Sequence, residues 1–416
     1  MHARCIPFLR HLLHNFHQTV TTDFPHERVP VDEARARVVA AVALLEGERV
    51  SLGRLVGRTV REDVHAPHDL PRHANSAMDG FVVAADTAGP WLITAQILAG
   101  DDPAPLVPGS AATIATGGVI PIGADAVIPF ERAVEDQGMV HATETVAAGD
   151  FVRPVGADVR GGDLILAAGT LLTPLAIAAV AGLGLTEITC VRRPRVAVLT
   201  TGDELVAPGR PLQRGQIHES NSVLMSATFD ALGCEIVQVV TVPDTAEATR
   251  AAFAAAINAA DLVVSTGGVS VGPRDHVKPA LHALGVREHF WRIATQPGQP
   301  AWCGSAPNGT LVAGLPGNPL SCLVGLHLLL VPAIRVMTGG DPTPVTVRAT
   351  LDAAIPQLSE RLRVIPMLLR AGHLVQLGAG ASHQLSRAAR ANALALIPIG
   401  DGRIEAGSMV DAVPLG

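Results

Sequence analysis

Three stretches of this chain place glycine beside an acid or an amide where an apolar run ends. In Asp261 to Lys278, DLVVSTGGVSVGPRDHVK, the β-branched run Leu262 to Val264 stops at Thr266, Gly267 and Gly268. Gly272 allows a second sharp turn, and the carboxylate of Asp275 then precedes a helix that begins near Val277. Arg195 to Leu205, RVAVLTTGDEL, ends in Thr201 and Gly202 followed by Asp203 and Glu204. Thr310 to Ser321, TLVAGLPGNPLS, ends in Pro316, Gly317 and Asn318 before a long apolar helix. In open α/β sheets, ligands lie outside the carboxyl ends of strands, where glycine lets backbone N–H groups approach phosphate. Phosphoryl chemistry at a hard cation also needs a few carboxylate oxygens that hold Mg2+ and leave room for substrate and water. Asp203, Glu204 and Asp275 are the metal candidates; Thr201, Gly202, Gly267, Gly268 and Ser270 would donate to phosphate. Each turn alone is equally the sequence of a plain tight turn, and each acid that of a helix cap. Three such ends in one segment argue for a site.

The elements that must position these residues follow from the apolar pattern. Strands at 195–200, 235–241 and 261–265 alternate with helices at 220–232 and 245–259, the pattern of a mostly parallel sheet with helices on both faces. Val31 to Leu45, VDEARARVVAAVALL, has helical spacing, with Asp32 reading as its N-cap. Residues 61–144 alternate short apolar runs with Gly, Pro and Asp, as small β domains do. A helix follows at Pro174 to Leu183, and residues 343–416 read as short strands and turns of a small β-barrel.

A chain of 416 residues with 48% hydrophobic content is too long for one core and splits into several domains. Its net charge of −7, with acids and bases interspersed, offers no basic stripe for nucleic acid and no polybasic membrane patch. The richest apolar run, Leu320 to Val336, is interrupted by His327, Pro332 and Arg335, so no membrane span is expected. Cys5, Cys190, Cys234, Cys303 and Cys322 show no CxxC spacing, which argues against a disulfide framework or structural zinc and for a cytoplasmic protein. Lys278 is the only lysine in the chain.

The motifs TTGDEL at 200–205, GGVSVGPRDHVK at 267–278 and GLPGNPLS at 314–321 resemble those of the molybdopterin molybdenumtransferase family, to which the enzymatic E domain of gephyrin is related. NSAMDGF at 75–81, ATGGVIPIGADAVI at 115–128, VRPVGADVRGGDLILAAGT at 152–170 and LSRAARAN at 385–392 match in the same order. The resemblance covers roughly residues 27–416; residues 1–26, with five irregularly spaced histidines, match nothing and read as a disordered extension. It implies a multidomain α/β plus β protein. Its parts would be a discontinuous elongated domain (27–60 and 145–192), a β-rich insertion (61–144), a three-layer α/β sheet domain of the molybdopterin-binding type (193–340) and a small β-barrel (341–416).

The resemblance also implies an activity: molybdenum insertion from molybdate into adenylylated molybdopterin, with Mg2+-dependent release of AMP, in molybdenum cofactor biosynthesis. By resemblance the catalytic residues are Asp275 and Glu204, with Asp79 and Thr116 reaching the cleft from the second subunit of a homodimer. Lys278, Pro316, Gly317 and Asn318 join the cofactor-binding set. A molybdopterin adenylyltransferase and molybdoenzyme apoproteins are the implied partners. One turn departs from the family. Where members have Lys-or-Arg-Pro-Gly-Lys-Pro, this chain has Gln296-Pro297-Gly298-Gln299-Pro300, with two cations replaced by amides beside a polyanion site. That departure leaves an alternative open, a catalytically weak relative that binds molybdopterin or a partner enzyme and delivers cofactor without inserting metal.

Overall fold

The structure is a computed structural model that describes residues 28–268, 275–378 and 385–415. The chain forms two compact units, Glu46–Val191 and a second made of Arg192 onward together with the residues that precede Glu46.

In the Glu46–Val191 unit, chain segments far apart in sequence pair. Gly47–Ser51 runs antiparallel to Glu187–Val191, from Gly47↔Val191 to Ser51↔Glu187, and Val64–His65 pairs with Leu164–Leu166. Leu55, Val60, Leu172, Val180, Ile188 and Cys190 form the core of this paired region. Between the pairs, residues 80–142 build a separate six-stranded sheet with its own apolar clusters around Phe81, Trp91, Ile114 and Ile128. The helix Pro174–Gly182 begins as its sequence dictates: Pro174 is at the first helical position, and the Thr173 side chain accepts from Ala176 N–H at 3.3 Å.

The second unit is organised by a six-stranded sheet. Its strands are β1 (Arg195–Thr201), β2 (Glu235–Val242), β3 (Leu262–Thr266), β4 (Arg287–Trp291), β5 (Trp302–Ser305) and β6 (Leu311–Leu315). Their spatial order is β2-β1-β3-β6-β5-β4; the first four run parallel, and β5 is antiparallel to both its neighbours. Side chains alternate across a strand. Val196 and Val198 therefore enter one core with Leu262, Val264, Met225 and Phe229, while Ala197 and Leu199 enter the other with Val263, Phe253 and Ile257. Both faces are covered, which is why these strands read as unbroken apolar runs.

The helix Val31–Ala40 packs Ala34 and Val38 into the first of these cores, so it groups with the sheet and not with Glu46–Val191. It is shorter than the spacing suggested, and Pro30 takes the N-cap position. Asp32 lies inside the first turn, where its Oδ1 accepts from Arg35 at 2.8 Å.

The long apolar helix expected after Asn318 forms: Pro319–Met337 is one continuous helix of 19 residues with a five-residue π turn at Leu326–Leu330, and the polar interruptions do not bring it below the length and hydropathy of a span. By length and hydropathy it could cross a membrane, but 78% of its most apolar window is buried within the protein, as in a core helix. Pro332 cannot donate to the carbonyl of Leu328 four residues back. Arg35 Nε fills that position, donating to Leu328 O at 3.0 Å.

Five strands, Val347–Leu351, Leu362–Arg370, His373–Gln376, Ala393–Ile397 and Met409–Pro414, close into the expected C-terminal barrel. Closure comes from Leu362–Arg370 pairing with both His373–Gln376 and Ala393–Ile397. Met367, Leu374, Ala395 and Ala412 fill its interior.

Candidate active site

The sheet register brings the three sequence motifs to one level. Thr200 pairs with Thr266 and Thr266 with Leu315, so β1, β3 and β6 stop side by side at their carboxyl ends. From β1 emerge Thr201, Gly202, Asp203 and Glu204; from β3, Gly267 and Gly268; from β6, Pro316, Gly317 and Asn318. Ser270 lies outside the described residues.

Glycine is required here by contact, not only by turning. At Gly267, with φ +82°, a Cβ would lie 2.7 Å from Thr201 Oγ1 and 2.8 Å from Thr201 O. At Gly268, with φ +64°, it would lie 2.6 Å from Val277 Cγ2. Gly267 N–H donates to Leu315 O at 3.1 Å, so this amide ties β3 to β6 and is not a donor for a ligand. Gly317 is held from the other side by Asn221, whose Nδ2 donates to Gly317 O at 2.7 Å. Sequence reasoning missed Asn221. Its signal is weak: a single amide at the first residue of the helix Asn221–Ala231.

The acids divide into different roles. Both carboxylate oxygens of Asp275 are buried. Glu204 is exposed and folds back over Gly202, near enough that a Cβ there would meet its oxygens at 2.6 and 2.7 Å. Asp203 bonds elsewhere: Asp244 N–H donates to its Oδ1 at 3.2 Å, and its own N–H donates to Asp244 Oδ2 at 3.4 Å. Among the described residues no three His, Cys, Asp or Glu side chains converge as a metal cage. Asp203, Glu204 and Asp275 thus do not enclose an ion by themselves. The donor set fits Mg2+ in its usual mode, with one or two carboxylates completed by substrate phosphates and water.

Lys278 lies in the first turn of the helix Val277–Ala283, with Nζ 2.9 Å from the centre of the Trp291 ring. Burial pushes its pKa down and the positive charge of Arg292 does the same, while Glu288 and Asp275 push it up; the net shift is downward. Arg292, at φ +73°, brings its guanidinium to 4.3 Å from the same ring.

The glutamines of the departing turn lie along the barrel. Gln296 pairs in register with Arg363, and Gln299 Oε1 accepts from Arg361 at 3.4 Å. An arginine therefore contacts the Gln299 amide, while the arginine in register with Gln296 donates its Nη1 to Pro356 O at 3.0 Å. Local sequence carries no sign of this, because residues 361 and 363 lie more than sixty positions downstream in a different element.

Asp79 and Thr116 meet within the Glu46–Val191 unit. Asp79 Oδ1 accepts from Thr116 N at 2.6 Å and Thr116 Oγ1 at 2.9 Å, and these bonds hold its carboxyl below the usual range. Gly80 follows because a Cβ there would collide with the backbone carbonyl of Ile128.

Comparison with known proteins decides the family. Residues 29–184 match the MoeA N-terminal region (domains I and II), 197–336 a probable molybdopterin binding domain, and 348–415 the MoeA C-terminal region (domain IV). A molybdopterin molybdenumtransferase of Haemophilus influenzae is 36% identical over 315 residues, 74% of this chain and 78% of the relative. The chain belongs to the molybdopterin molybdenumtransferase family. A second relative, molybdopterin molybdenumtransferase 2 of Mycobacterium tuberculosis, is 35% identical over 402 residues and covers 92% of this chain and 97% of its own. Among solved structures, the molybdopterin biosynthesis MoeA protein of Pyrococcus horikoshii superposes with a TM-score of 0.83 at 28% identity. That match covers 94% of this chain and all of the other.

Proposed function

We propose that this chain inserts molybdenum from molybdate into adenylylated molybdopterin and releases AMP with the help of Mg2+. Family membership makes it an enzyme of molybdenum cofactor biosynthesis. The substrates and metal rest on one observation above the others: three level strand ends, closed on one another by glycine contacts, beside a buried acid and a cation. Such a crescent suits a ligand with phosphate at one end and a flat polar ring at the other.

In this reading Asp275 and Glu204 hold Mg2+, which when bound neutralises charge on the anhydride oxygens. The turns Thr201–Gly202 and Pro316–Asn318 orient the substrate, and Lys278 faces its phosphates. Water adds to one phosphorus, the bridging P–O bond breaks, and AMP leaves with molybdopterin phosphate retained. Asp79 and Thr116 come from a second copy of the chain. An exposed apolar surface supports a second copy: the helix Pro174–Gly182 has no polar side chain, only Val180 is buried, and Leu175 is 81% exposed. A cytoplasmic location, a molybdopterin adenylyltransferase upstream and molybdoenzyme apoproteins downstream complete the reading.

The delivery alternative keeps one specific observation, the amides Gln296 and Gln299 in place of the family's cations. The test is to incubate the protein with adenylylated molybdopterin, Mg2+ and molybdate, following AMP and reconstitution of a molybdenum-free apo-enzyme. Both signals support insertion. Tight pterin binding with neither would favour the delivery reading and make Gln296→Lys with Gln299→Lys the variant that tests it.

A further inference from the structure

We propose that Trp291 is a positioning residue of the candidate site, its indole face holding the ammonium of Lys278 beside Asp275. The proposal rests on the polyanion-binding reading above and names the group that organises its cation.

Several observations converge on this pair. The chain has 31 basic residues, and 30 of them are arginine; lysine is kept only at position 278. An ammonium is a compact point charge with three rotatable donors, whereas guanidinium is a broad planar fork. Lys278 also sits where local physics disfavours it, because the first turn of a helix presents the positive end of the helix dipole. Its long side chain would lose little by swinging into water. Instead Nζ stands 2.9 Å from the centre of the Trp291 ring.

The ring is itself fixed. Trp291 ends β4, pairs in register with Trp302 on β5, and packs half-buried against the core that contains Val277 and Leu281. Trp302 Nε1 is anchored in turn on Glu288 Oε2. The indole is therefore a rigid floor reaching from the antiparallel edge of the sheet to the helix that follows Asp275. Arg292 crowds the same ring at 4.3 Å. Glu288 and Asp275 lie close enough to favour the Lys278 charge and Arg292 close enough to oppose it, so the ammonium stands among charged neighbours with the indole as its apolar support.

Because the chain has one lysine, protein labelled with [ε-13C]lysine gives a single side-chain signal. In the wild type that signal should lie upfield of free lysine, from the ring current, and should move when pyrophosphate is added. In Trp291→Leu it should return to the free position, and pyrophosphate affinity should fall about tenfold. Trp291→Phe, which keeps an aromatic face, should retain most of the affinity. Lys278→Met should lose as much as Trp291→Leu, and the double variant no more than either. Folded Trp291→Leu with wild-type affinity, or additive losses in the double variant, would overturn the positioning role while leaving the polyanion site standing. Wild-type protein that binds no pyrophosphate would overturn the polyanion reading and this proposal together, although the upfield signal would still locate Lys278 on the ring.

Discussion

The strand-end crescent of the sheet unit and the Asp79–Thr116 turn of the Glu46–Val191 unit are built in opposite ways. In the crescent, backbone touches backbone: Gly267 lies against Thr201, Gly317 beside Gly267, and the Gly267 amide is spent on Leu315. The turn hangs on one carboxylate oxygen and one threonine at the surface. Burial over-determines the first, so changes there confuse fold with function. The second contributes little to its fold, so a strong effect there can only be functional. The most informative experiments set the two against each other.

The largest expected effect is on chemistry in the crescent. Asp275→Asn keeps the shape of the buried side chain and removes its charge. Turnover should fall by about a thousandfold or more, with the unfolding midpoint in urea close to wild type. Unfolding of the variant would instead make Asp275 a structural acid. Next comes Gly267→Ala, which combines an unfavourable φ of +82° with a clash against the Thr201 carbonyl. A loss of about 3 kcal/mol or more is expected, read as a large shift of the urea midpoint. Little change would mean that the strand ends are looser than these contacts imply.

A purely structural acid supplies the control. Asp261 accepts from Arg192 Nη1 at 2.6 Å and Nη2 at 2.8 Å, and from the Arg195 backbone N–H at 2.8 Å. Burial alone would raise its pKa; the bonds to Arg192 and Arg195 outweigh that and bring it below the usual value. Asp261→Asn should cost on the order of 3 kcal/mol without a specific effect on turnover. Acid should act in two windows. His327 is pushed down to about 4 by burial, and His289 to about 4 by burial and then by the charges of Arg287 and Arg37, so at both the unfolded chain takes up a proton first and stability falls as pH drops from about 6.5 to about 4. For Asp261 the sign is the same in a lower window: its contribution is complete above the unfolded carboxyl value near 3.9 and is lost as pH falls below it. Asp79 is also held low by its bonds to Thr116, so its contribution, weakened by solvent at its exposed turn, fades in the same lower window as that of Asp261. Urea midpoints measured from pH 7 to pH 3, for the wild type and for His327→Leu, would show whether the upper window belongs to His327.

Much of the crescent was legible because a buried parallel strand writes itself as an apolar run, and the glycines that end it are forced by contacts such as Gly267 on Thr201. The sheet, its two cores and the closed barrel could be read for the same reason. What could not be read were bonds between distant segments. Asn221 on Gly317, Arg361 on Gln299 and Asp203 with Asp244 join residues whose own neighbours give no hint of the partner. Periodicity likewise could not show that the helix Val31–Ala40 ends early and packs against the sheet. Nor could it show that Arg35 takes the place of the donor that Pro332 lacks, letting the helix run through to Met337.

The smallest expected structural effect is the one that decides the role of the turn. Thr116→Val removes the Oγ1 bond to Asp79 and keeps the stronger backbone donor, so the strand entry at Gly80 should stay as it is. Asp79 accepts on Oδ1 alone among the described residues, which leaves its second oxygen to face whatever docks against this surface. If that docking surface is the active cleft of a second copy, Thr116→Val should lower turnover about tenfold, the worth of one hydrogen bond, with no change in the urea midpoint. Mixing it with Asp275→Asn then separates the copies. Each variant alone carries its defect in every site it forms, but a mixed dimer has one site that combines an intact Asp275 with an intact Thr116. Activity of the mixture above the sum of its parts would show that the two regions work across a dimer. Activity equal to that sum would return Asp79 and Thr116 to a turn that satisfies only itself.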